Sequence, residues 1–184
     1  MKFYISDLHI GHANVLQFDN RPFFTLTEMH QAIINNWNSA AGKGDDVYIL
    51  GDFAWKNDDG LEVIKQLNGK KFLIKGNHDR LSPELEKQFV WVKHYEEIKD
   101  NGNHVILCHY PIPHFHNSDY GYYHLYGHIH QARDAKPFED YVKLLRQRDI
   151  PCNCYNVGCM MDYMNYTPRT LDEIIAANKE NTNE

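Results

Sequence analysis

Seven side chains in this sequence have the chemistry to hold divalent cations: Asp7, His9, Asp52, Asn77, His109, His128 and His130. They sit in five short motifs, in chain order Asp7-Leu8-His9, Gly51-Asp52, Gly76-Asn77-His78-Asp79, Cys108-His109 and Gly127-His128-Ile129-His130. Two carboxylates, one amide oxygen and four imidazoles suffice for two metal ions, and His78 is left over for proton transfer. A dinuclear site of this kind points to hydrolysis of a phosphate ester. Each motif alone is weak; the ordered set carries the reading. Mixed nitrogen and oxygen donors admit Mn2+, Zn2+, Fe2+, Co2+ or Ni2+, with Mn2+ favoured.

Such residues act together only if the chain gathers them. Lys2–Ser6, Asp46–Leu50, Lys71–Lys75 and Val105–Cys108 are apolar runs rich in aromatic or β-branched residues and read as buried strands. Tyr123–Tyr126 is a weaker strand candidate. The motifs follow or close these runs, so the ligands are expected at the carboxyl ends of strands, where open α/β sheets bind their ligands. In Asp7-x-His9 and His128-x-His130 an extended backbone would aim both side chains to one side. Gly51, Gly76 and Gly127 are expected to let the backbone turn sharply beside the ions.

The five motifs resemble the signature of the calcineurin-like metallophosphoesterase family. The segments Gly11-His12-x-Asn14, Arg21-Pro22-Phe23, Asn156-Val157-Gly158, Tyr166-Thr167-Pro168 and Leu171-Asp172-Glu173-Ile174 are similar to its small bacterial and phage members. The resemblance implies an α/β fold, a four-layer α/β/β/α sandwich of two sheets flanked by helices. It assigns Asp7, His9 and His130 to one ion, Asn77, His109 and His128 to the other, and Asp52 to a bridge between them. It also implies a metal-bridging hydroxide as nucleophile, with His78 as the catalytic acid and Asp79 either orienting it or capping a turn. After Gly51-Asp52 the chain runs Phe53-Ala54-Trp55-Lys56, without the further Asp and Arg of the family's protein phosphatases, which argues against phosphoprotein substrates.

Length and composition fit one compact domain, with 42% hydrophobic residues to build a core, and the resemblance implies that residues 1–184 form a single metallophosphoesterase domain. The formal charge of −6 argues against extended nucleic acid as partner. Locally, two divalent ions outweigh two carboxylates and a bridging hydroxide by one positive charge, which attracts a small phosphorylated substrate. A cleaved leader would take Asp7 with it, and no apolar run is long enough to span a bilayer, so a cytoplasmic protein with no membrane partner is expected. The four cysteines fit reduced thiols. Cys108 reads as a small core residue, and Cys152, Cys154 and Cys159 form a weak candidate for a third metal site.

Between the motifs, Thr25 and Glu28 make a capping-box pattern ahead of a helix over Leu26–Ala41, with Met29, Ile33, Ile34 and Trp37 facing the core. Further helices are expected over Leu61–Leu67, stopped by Gly69, and over Leu171–Asn178, with a frayed end at Lys179–Glu184. Lys136–Arg148 reads as a packed surface helix, the alternative being a flap beside the metals. His12 and Arg21 are the candidates for contacting substrate phosphate, with a structural anchor as the equal alternative for Arg21. His30, His94, His104, His114, His116 and His124 read as exposed or satisfied side chains. The expected function is a dinuclear-metal-dependent phosphodiesterase or phosphatase on small, nucleotide-like or organic phosphates. A nuclease or a non-catalytic metal-binding scaffold of the same fold are the alternatives.

Overall fold

The structure, a computed structural model, describes residues 1–130 and 135–180. Strands β1 (Lys2–Ile5), β2 (Asp46–Leu50), β3 (Lys70–Ile74) and β4 (Val92–Lys93) form an all-parallel sheet in the order β1-β2-β3-β4. Strands β5 (Tyr95–Asp100), β6 (Asn103–Cys108), β7 (Tyr123–Tyr126) and β8 (Asn153–Asn156) form a second sheet in the order β5-β6-β7-β8. Only the β5–β6 pair is antiparallel. Asn101 and Gly102 close that hairpin, both at positive φ, as a tight two-residue turn requires.

The sheets meet edge to edge just past β1 and β8. Ser6 N donates to Val157 O at 2.8 Å, and Cys159 N donates to Ser6 O at 2.9 Å. Side-chain alternation then makes layers. Val105 and Leu107 of β6, Leu125 of β7 and Tyr155 of β8 point into the core shared with the first sheet. Their neighbours Ile106, Tyr126 and Cys154 point outward, into a second cluster with Val142 and Leu145 of helix α5 (Ala135–Gln147). Helices α2 (Leu26–Ala40) and α3 (Asn57–Ile64) pack on the first sheet through Met29, Ile33, Trp37, Val63 and Ile64. The result is two sheets flanked by helices, the sandwich that the motifs implied.

Most of the expected elements are present with shifted ends. Thr25 caps α2 by accepting from Glu28 N at 3.1 Å, but the Glu28 carboxylate accepts from Phe24 N rather than Thr25 N. Helix α3 starts four residues before the expected Leu61, with Asp58 and Asp59 in its first turn, and ends at Ile64, short of Gly69. The charged stretch before Arg148 is the surface helix α5, packed as above. Helix α6 (Leu171–Glu180) continues past the expected Asn178, so Lys179 and Glu180 of the end expected to fray are helical, and the rest of that end, 181–184, lies outside the described residues. Strand β5 has no apolar signature because it is a charged edge strand, and the short α1 (Val15–Phe18) and α4 (Pro83–Glu86) are single turns. Among the described residues no helix is long and apolar enough to cross a membrane.

Candidate metal centre

Five strand ends deliver the seven ligand candidates. Asp7 follows β1, Asp52 follows β2, Asn77 follows β3, His109 follows β6 and His128 follows β7. Their backbone is not extended there. Asp7, His9, Asp52, His128 and His130 all lie in the left-handed region, at φ of 57, 51, 52, 72 and 44°. The expected alternation along extended chain is therefore corrected: the Asp7/His9 and His128/His130 pairs converge through left-handed turns. Asp, Asn and His tolerate that region best, and clustered backbone strain of this kind is characteristic of functional sites.

The glycines serve a different need from the one expected. Gly51 does turn at positive φ, but Gly76 and Gly127 do not. What the three share is proximity to a ligand. A Cβ at Gly51 would lie 2.2 Å from His109 Nδ1, at Gly76 2.2 Å from Asp52 Oδ1, and at Gly127 2.3 Å from Asp7 Oδ2.

Two groups of donors result, one of Asp7, His9 and His130 and one of Asp7, Asp52 and His109, each with ligand atoms within 4.8 Å of one another. Asp52 Oδ2 lies 3.7 Å from His9 Nε2 and 3.5 Å from His109 Nε2, between the two sides of the site. Asn77 Oδ1 is 3.0 Å from both His109 Nε2 and His128 Nδ1. His9 Nε2 and His130 Nε2 approach to 3.2 Å. Nitrogen and oxygen donors crowded together in this way can share a cation, so the donor set fits metal ions. The non-ligating nitrogens are oriented: His109 Nδ1 donates to Leu50 O at 2.8 Å, and His130 Nδ1 donates to Asp19 Oδ1 at 2.7 Å. His9 Nδ1 is buried with no partner among the described residues.

The electrostatics follow from this crowding. Burial pushes His9 down to about 4 against the pull of Asp7 and Asp52. His130 goes the other way, up to about 10, because hydrogen bonds and charges from Asp19 and Asp7 outweigh its burial. Burial would raise the Asp7 carboxyl, yet the hydrogen bond and charge of His130, helped by His109 and His9, hold it well below the usual range.

No family model matches the sequence. It is 31% identical over 176 residues to the uncharacterized protein MJ1445 of Methanocaldococcus jannaschii, covering 94% of this chain and 88% of that one. The chain belongs to the family of MJ1445. A protein of unknown function from Aquifex aeolicus, AQ665, has a crystal structure that superposes with a TM-score of 0.72 at 26% identity, over 96% of this chain and 98% of that one. Pseudomonas putida nuclease MPE superposes more loosely, with a TM-score of 0.46 at 21% identity, over 70% of this chain and 61% of that one. The fold is the two-sheet sandwich flanked by helices that AQ665 shares, and its buried His/Asp cluster has the donors to hold metals.

Within that fold the other candidate residues separate. His78 lines the cleft; its main-chain N–H donates to Asp52 Oδ1 at 2.9 Å, and its ring lies 5.6 Å from that of His9. Asp79 does not orient it. The buried Asp79 carboxylate accepts from Asp52 N, Phe53 N and Gly76 N at 2.8–2.9 Å and so clamps two ligand loops together. His12 does line the cleft. Arg21 is corrected to the anchor: it is buried, and it donates to Asp7 O at 2.8 Å, to Leu8 O at 3.0 Å and to Asp19 Oδ2, which removes it from phosphate contact. Asp19 thus links Arg21 to His130. Sequence reasoning missed Asp19; the signal is the general need of a ligating histidine for a partner on its other nitrogen.

Cysteines 152, 154 and 159 do not form a third site. Cys152 and Cys154 bring their sulfurs to 3.4 Å in the outer cluster, while Cys159 donates to Asp7 O from the inner core. Cys108 is buried, as expected. Of the remaining histidines, His30 accepts from Gly11 N, His104 and His116 both meet Glu97, His114 meets Tyr141, and His124 is fully buried.

Proposed function

We propose that this protein is a dinuclear-metal-dependent hydrolase of small phosphate esters, a phosphodiesterase or phosphatase. The observation that supports it best is the position of Asp52 Oδ2, between His9 Nε2 and His109 Nε2 with three-residue donor sets on either side. Asp7, His9 and His130 would hold one ion, Asn77, His109 and His128 the other, and Asp52 both, since a carboxylate has two oxygens to share and a neutral imidazole only one free nitrogen at a time. Two divalent ions bound there, Mn2+ being the favoured metal, supply Lewis acidity that activates water and steadies phosphoryl charge.

The chain's own residues do the rest. Asn77 contributes a neutral oxygen, which limits the negative charge facing an incoming phosphate. Asp19 and Leu50 O fix the ring planes of His130 and His109. The Asp79 clamp and the Arg21 anchor hold the ligand loops rigid, as positioning chemistry requires. That His78 lines the cleft and lies outside the ligand set supports it as the acid that protonates the leaving alkoxide.

The test is turnover of a panel of phosphomonoesters, cyclic nucleotides and aryl diesters by Mn2+-loaded protein, beside an Asp52→Asn variant. Metal-dependent hydrolysis by the parent and its loss together with metal content in the variant are expected. Absence of turnover on every ester, with metal bound, would overturn the enzymatic reading and leave a metal-binding scaffold.

A further inference from the structure

One wall of the cleft is made of exposed rings that metal binding does not require. His12 lies parallel to Trp55, with 4.3 Å between centroids and 10° between planes. Phe18 meets His12 edge-on at 6.2 Å, and Trp55 meets His78 at 5.1 Å. Trp55 is 48% exposed and Phe18 72%, so large apolar faces stand in solvent beside a polar centre. The wall is fixed rather than draped. Trp55 N donates to Ile10 O at 2.8 Å, and Ile10 pairs with Ala54.

The wall and the ligands belong to one space. A cavity of about 600 Å³ is lined by His9, Asp52 and Asn77 on one side and by Phe18 and Trp55 on another, a size that suits a small organic ligand. The His12 and His78 rings each lie 5.6 Å from that of the ligand candidate His9, so the wall begins one ring away from the centre. A phosphate held at the centre would therefore carry its organic group along the exposed aromatic faces.

We propose that Trp55 and Phe18, with His12, form a stacking wall for a planar aromatic group, such as a nucleobase, on the substrate phosphate ester. This rests on the phosphoesterase reading above and narrows it from small phosphates in general to base- or aryl-bearing ones. The net charge of −6 favours a nucleotide-sized substrate over a polymer.

Adenosine 5′-monophosphate and ribose 5-phosphate both leave through a primary ribose 5-oxygen and differ in the base. With Mn2+-loaded protein, kcat/KM is expected to favour the adenosine compound by roughly tenfold or more, the scale of base–aromatic stacking. Trp55→Ala should bring the ratio toward one, and Trp55→Phe, which keeps a ring, should restore much of it. Benzyl against n-butyl phosphate tests whether a plain aryl group is also preferred, which stacking alone requires. Equilibrium binding of both sugar phosphates to the metal-loaded protein, measured by calorimetry, should show the same ratio even where turnover is absent. A ratio near one in the parent would overturn the wall while leaving the phosphoesterase reading intact. An unchanged ratio in Trp55→Ala would overturn the role of Trp55. Binding with the full ratio but no turnover would support the wall and count against the enzymatic reading.

Discussion

Gly76→Ala places a Cβ 2.2 Å from Asp52 Oδ1 and 2.6 Å from the Asp52 main-chain nitrogen. The backbone at Gly76 is not at positive φ, and the three atoms nearest the new Cβ all belong to Asp52. Ordinary contact needs about 1 Å more separation. Asp52 has no slack to supply it. Its N–H donates to Asp79 Oδ2 at 2.9 Å, its Oδ1 accepts from His78 N at 2.9 Å, and its φ is already 52°. Metal–ligand distances tolerate only about 0.2 Å. A displacement several times larger, at the residue between both donor sets, should weaken metal binding on the order of 100-fold or more. Overpacking should also cost about 1–3 kcal/mol of stability. The assay is Mn2+ titration with metal content per chain, beside thermal melts in chelator that separate lost affinity from lost fold. Gly44→Ala is the control, because a Cβ there meets nothing within 4 Å. A folded Gly76→Ala protein with the parent's Mn2+ affinity and stoichiometry would refute the reasoning.

Three further outcomes are expected. His78→Ala should keep metal content and slow alkyl phosphate esters by roughly 10²–10⁴-fold, with a smaller loss on p-nitrophenyl esters, whose leaving group needs no proton; equal losses on both would point to positioning instead. Asp19→Ala, which removes the partner of His130 Nδ1, should weaken Mn2+ binding roughly 10–100-fold in the same titration, and parental affinity would remove Asp19 from the site. His124 is neutral and buried, with a pKa pushed from 6.5 down to about 4 chiefly by burial. Above pH 6.5 neither folded nor unfolded protein charges it, and stability is full; as pH falls toward 4 the unfolded chain alone takes the proton, and about 3 kcal/mol is lost. His124→Gln can keep the contacts to Ile112 N and Ile106 O, and urea melts of chelated protein from pH 7 to 4 should show a flatter slope for it than for the parent.

The sequence by itself determined the strands that carry the candidate ligands. Apolar runs such as Asp46–Leu50 and Lys71–Lys75 leave little choice but a buried strand, and a motif placed directly after such a run must emerge at the sheet's carboxyl edge. That held for β1, β2, β3, β6 and β7. The capped helix α2 was legible for the same local reason. The charged β5 was not, because its stability comes from pairing with β6 across a turn rather than from its own composition.

What only tertiary structure decided is how side chains far apart in sequence divide the work. Arg21 reads as well as a phosphate contact as it does as an anchor until its guanidinium is seen on the carbonyls of Asp7 and Leu8. Asp79 reads as orienting His78 or capping a turn, and its three main-chain donors show instead that it clamps two loops together. Asp19 carries no motif and matters only because folding brings it within 2.7 Å of His130, 111 residues away. The left-handed turns at Asp7, His9, Asp52, His128 and His130 belong to the same class. Such conformations are disfavoured locally, and they persist because the surrounding sheets, glycines and buried hydrogen bonds over-determine them.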